Sequence, residues 1–97
     1  MDYIAFLADA IARLHSVGAE HVETVPVREE FQGTVVWVGE VEVFGIEGHP
    51  EARQCFAWGF TPDSGGMKAV TVLAVPPITD ARRAVQAYVA SLVRSDA

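Results

Sequence analysis

The sequence predicts an α+β domain of order α-β-β-β-β-α: a four-stranded antiparallel meander with two helices packed on one face. Three observations predict it. Apolar residues recur at helical spacing near both ends, and the runs between them follow strand patterns. The turns separating those runs are also too short for the crossovers that parallel strands need. The chain of 97 residues reads as a single compact domain, 1–97, long enough to bury a core without disulfides or metal.

Asp2 to Val17, DYIAFLADAIARLHSV, is rich in helix formers, with Ile4, Leu7, Ala8, Ile11, Leu14 and His15 on one stripe. Asp2 is the expected N-cap, and Gly18 the left-handed residue that ends the helix. Tyr3 and Phe6 lie off the stripe. Glu20 to Arg28 reads as an edge strand, because Pro26 cannot donate to a neighbour on both sides. Glu29 to Gly33 is expected to connect it to the next strand, with Gly33 available for positive φ.

The longest strand is Thr34 to Ile46, TVVWVGEVEVFGI. Alternation puts Val35, Trp37, Val41 and Val43 on one face and Val36, Val38, Glu40, Glu42, Phe44 and Ile46 on the other. Glu40 and Glu42 are expected to be wet, which makes the Val41–Val43 face the inner one. The Val35–Val38 end is apolar on both faces and calls for a second cover. Gly39 and Gly45 suggest a bulge, strong coiling or a close backbone approach.

Glu47 to Ala52 is the next turn, punctuated by Gly48 and Pro50. Arg53 to Thr61 then carries Phe56, Trp58 and Phe60 on one face and Cys55, Ala57 and Gly59 on the other; either face suits a core. Thr61 to Gly66 is a loop. Met67 to Val75 is a strand apolar on both sides, ended by Pro76-Pro77. Thr79 is the expected cap of a last helix carrying Ala81, Val85, Tyr88, Val89, Leu92 and Val93 inward and Arg82, Arg83, Gln86 and Arg94 outward, with Ser95, Asp96 and Ala97 fraying.

Apolar residues make up 51% of the chain and charged ones 21%, with mean hydropathy +0.24, so a folded core is expected and some apolar surface is left over for an interface. A net charge of −6 and scattered basic residues argue against a nucleic-acid partner. No stretch resembles a membrane span or a secretory signal, so the expected location is cytoplasmic and no membrane partner is expected. The single cysteine, Cys55, allows no intrachain disulfide.

Glu47, His49, Glu51, Arg53 and Cys55 are the one local concentration of titratable groups. His49 beside Glu47 and Glu51 is the low-ranking catalytic candidate, since imidazole can move protons near neutral pH. The plainer reading is a solvated turn. Cys55 reads as a small buried hydrophobe. His15, His21, His49 and Cys55 lack the short spacings of zinc sites, and Gly65-Gly66 lacks the lysine and helix of a phosphate loop, so no metal or cofactor is expected. Trp37, Phe44, Phe56, Trp58 and Phe60 form the candidate binding surface. Two helices on one face would leave the other needing a partner, and a homodimer meets that need.

The run WVGEVEVFGIEGHPEA at Trp37 to Ala52, followed by CFAW at Cys55 to Trp58, resembles a group of short bacterial proteins of unassigned function. That resemblance implies no activity. The order helix, meander, helix is similar to the double-stranded RNA-binding domain, but the lysine cluster that family carries at its last helix is replaced here by Asp80, Arg82 and Arg83. The leading expectation is a non-enzymatic binding or assembly module acting through an apolar sheet face or the edge strand Glu20 to Arg28, as a homodimer or with another protein partner. The alternatives are a small enzyme or small-molecule binder using the His49 turn and an aromatic-lined pocket, and an RNA-binding module by analogy of fold.

Overall fold

The computed structural model describes residues 2–95, the side chains of Val93, Arg94 and Ser95 excepted. The elements are α1 (Tyr3–His15), β1 (Gly18–Phe31), β2 (Thr34–Glu47), β3 (Gln54–Phe60), β4 (Lys68–Leu73) and α2 (Ala81–Ser95). All strand pairs are antiparallel and the sheet order is β1-β2-β3-β4, the expected meander. No helix among the described residues is long and apolar enough to cross a membrane.

The helices do not share a face. Leu7 and Ile11 of α1 pack with Phe44, Ile46, Cys55 and Ala57 in one core. Ala81, Ala84 and Val85 of α2 pack with Val27, Val41, Val43, Phe56 and Trp58 in another. Because neighbours along a strand point to opposite sides, the sheet lies between the helices, one on each face. This corrects the expectation of both helices on one side. It also explains β3, whose small and aromatic faces are both core, and β4, where Ala69 and Leu73 serve one cluster and Val70 and Val72 the other.

Asp2 caps α1, its Oδ1 accepting from the Ala5 N–H at 2.8 Å. The left-handed residue after the helix is Ser16 (φ 55°), not Gly18, which already opens β1. The chain turns early because Val17 enters the core at 9% exposure. Leu14 leaves the expected stripe for solvent, and Ala10 takes a buried place instead. At α2 the cap is Asp80, one residue beyond the expected Thr79: its Oδ1 accepts from the Arg83 N–H at 2.8 Å. A carboxylate there also complements the helix dipole. The inward Val93, outward Arg94 and fraying Asp96 and Ala97 of the sequence reading lie outside the described residues.

β1 and β2 form a long hairpin closed by Gln32 and Gly33, both left-handed (φ 52° and 82°), the two-residue turn that matches strand twist. The register slips at Val22 on β1 and at Val36 on β2, so the bulges fall there and not at Gly39 or Gly45. β3 pairs with β2 only from Glu42 to Gly45. The distal half of the hairpin therefore extends past β3 as an arm, covered by α2 on one face: Glu29 accepts from Arg82 Nε at 3.0 Å and Gln86 Nε2 at 3.2 Å. β1 is an edge strand along its whole length, as Pro26 led one to expect.

Candidate functional site

β2 and β3 part company just beyond the Glu42–Ala57 pair, and the fork between them is the first candidate site. Ile46 N–H donates to the Arg53 carbonyl at 3.0 Å, so by alternation the backbone groups of Phe44 and Glu42 also point at β3. Those of Glu40 and Val38 point the same way and find no strand. In an unbroken ladder Glu40 would face Gly59. Instead Gly59 N–H donates to the Tyr3 hydroxyl at 2.7 Å, so α1 supplies the acceptor that β2 withholds. A Cβ at Gly59 would come within 2.9 Å of the Tyr3 ring, which is why this position takes glycine.

The resulting cavity holds about 520 Å³. Trp37, Trp58 and Tyr88 form one wall, set edge to face at centroid distances of 5.3 and 5.4 Å and interplanar angles of 64° and 84°. Tyr3 and Phe60 add aromatic surface, and Glu40 and Glu42 supply the acidic groups. Glu42 is not wet as the strand alternation suggested. Its side chain is 6% exposed, and one oxygen accepts from both His21 Nε2, at 2.8 Å, and the Thr24 hydroxyl. The burial is stable because polar partners reach it from β1: Thr24 directly opposite, and His21 from beyond the bulge at Val22. Glu40 remains exposed.

Of the five aromatics expected to form a binding surface, Trp37, Trp58 and Phe60 meet at this fork. Phe44 and Phe56 do not: at 0% and 2% exposure they are core, one under each helix, since both faces of the sheet are covered there. Tyr3 and Tyr88 were missed as site residues. Tyr3 stood off the helical stripe, a signal that could have found it, whereas Tyr88 looked like ordinary core spacing.

A second concavity of about 480 Å³ lies between the arm tip and α2, lined by Phe31, Val36, Val89, Ala90, Gln86 and the Glu29–Glu30 pair. The bulge at Val36 brings that side chain round to the α2 side, breaking the even-face assignment made from simple alternation.

The His49 turn is differently built. His49 Nδ1 accepts from the Glu51 and Ala52 amides at 3.0 and 2.9 Å, so its lone pair is committed to holding the turn and the ring proton sits on Nε2. Neither Glu47 nor Glu51 forms an ion pair with it among the described residues. His15 Nε2 is 2.9 Å from the Thr71 hydroxyl. Among the described residues no three of His, Cys, Asp or Glu are grouped to hold a metal ion. Cys55 is fully buried, and burial pushes its thiol up from 9.0 to about 12, against a smaller opposing effect of a backbone hydrogen bond at Val72.

No family model, curated protein or solved structure matches this chain.

Proposed function

We propose that the chain is a non-enzymatic binding and assembly module that associates with a second copy of itself through the tip of the β1–β2 hairpin. The observation that carries this reading is the arm's exposed apolar surface. Phe31 is 65% exposed and Val36 40%, beside the apolar groove against α2, with Val35 at 40% on the same tip. A contiguous patch of this kind is what interfaces bury, and a twofold pair would let each Phe31 enter the other copy's groove. The sheet-face interface is given up, because a helix occupies each face. The edge Glu20 to Arg28 supports association poorly, since Pro26 lacks the N–H that a partner strand would need.

The enzymatic alternative at His49 draws little support from a ring nitrogen engaged by two backbone amides. Sedimentation velocity tests the assembly reading. The wild-type chain should sediment as a dimer at micromolar concentration, and Phe31→Glu should sediment as a monomer with an unchanged circular dichroism spectrum. A wild-type chain that stays monomeric throughout that range refutes it.

A further inference from the structure

We propose that the fork between β2 and β3 binds a small organic cation, an alkylated ammonium for which the aromatic walls substitute for water. The wall chemistry selects the charge. Glu40, Glu42 and five aromatic residues line the cavity, and among the described residues no lysine, arginine or histidine does. The Trp37–Trp58–Tyr88 corner lines it from the α2 side of the sheet, and the two glutamates from the α1 side across the fork. An anion would meet two acidic side chains and no basic one. A cation meets ring faces, whose quadrupoles attract positive charge most strongly where water is excluded.

The geometry favours a compact, apolar cation over a strongly hydrated one. Trp37, Trp58 and Tyr88 stand steeply to one another, so they form a corner and not a stack, and rings so placed can contact different sides of one rounded group. Glu42 is anchored from β1 through one oxygen, and the residue lines the cavity with its side chain more than nine-tenths buried. Glu40 has no ion-pair partner among the described residues and adds a second charge at the rim. A cavity of about 520 Å³ is of the size that holds one small molecule. Tyr3 holds the fork open by occupying the Gly59 N–H, so the site is preformed.

The chain's two tryptophans both line this cavity, so its intrinsic fluorescence reports on the site directly. The full chain is titrated with choline and with 3,3-dimethylbutan-1-ol, the neutral molecule of the same shape. Saturable change is expected with choline, with binding about tenfold weaker or more for the alcohol, the factor that loss of a desolvated cation–π contact brings. Glu40→Gln and Glu42→Gln should each weaken choline binding severalfold. Glu40→Gln is the variant that keeps the test valid if Glu42→Gln loses stability, because Glu40 is exposed and its loss disturbs no packing. No saturable response to choline, equal affinity for the alcohol, or an unchanged Kd in Glu40→Gln overturns the assignment. The Phe31→Glu chain should bind choline as the wild type does; loss of binding there overturns a site contained within one chain. The dimer and the fork therefore fail or succeed separately.

Discussion

Cys55 shows how one side chain couples to pH. Its thiol is protonated in the fold up to about 12 and titrates from 9.0 when exposed, so below pH 9.0 both states hold the proton and stability does not depend on it. As pH rises from 9.0 toward about 12 the unfolded chain loses that proton first, and the native state is progressively disfavoured. Urea unfolding of the wild type and Cys55→Ala across that range checks this: the stability advantage of the wild type should shrink with pH. An advantage that is constant throughout refutes it. Glu42 teaches the complementary lesson. Its alternation with Val41 and Val43 marked it for solvent, but Thr24 stands directly opposite it on β1, and the register slip at Val22, invisible in a one-strand pattern, turns His21 to the same face.

At the scale of elements, the hairpin is the part whose local chemistry is least resolved in favour of stability. Gln32 occupies a left-handed position (φ 52°) in a turn that favours Asn followed by Gly, and Gly33 already fills the second place. Gln32→Asn should therefore raise stability by roughly 0.5–1 kcal/mol, the range of other substitutions that relieve backbone strain at compatible sites. Thermal melting reads the change, and an unaltered or lower midpoint counts against it. The turn itself was legible from Gly33, but its length was not: Glu29, Glu30 and Phe31 read as connection, yet they pair with Trp37, Val35 and Thr34. Their side chains are charged or exposed, so burial could not mark them as strand. The ladder did that work through backbone groups alone.

At the scale of the molecule, element order was legible because helical and alternating periods change cleanly at Gly18 and at Pro76-Pro77. Helix placement was not. A strand covered on both sides carries apolar residues everywhere, so Cys55–Ala57 and Phe56–Trp58 each looked like the inner face, and both are. The fork was half legible: Trp37, Trp58 and Phe60 were singled out, but nothing in one strand's pattern says where its neighbour leaves it. That departure carries a prediction for exchange of backbone amides. Val38 and Glu40 face the fork without a strand partner, whereas Gly39 and Val41 face β1, so Val38 and Glu40 should exchange markedly faster than Gly39 and Val41, in the proposed dimer as in a single copy. Equal protection of all four would mean that copies pair edge to edge, contrary to the proposed interface through Phe31 and Val36.

Pro26 and the bulge at Val22 have a wider consequence. The outer margin of β1 is the longest stretch of open backbone in the fold, and a flat margin of that length invites the stacking of copy upon copy into fibrils. A missing donor near its middle and a kink near one end spoil it as a template, while β4 offers only six residues on the opposite margin. Growth without limit is thereby discouraged at both sides of the sheet, which leaves the proposed pairing at the hairpin tip free to stop at two copies.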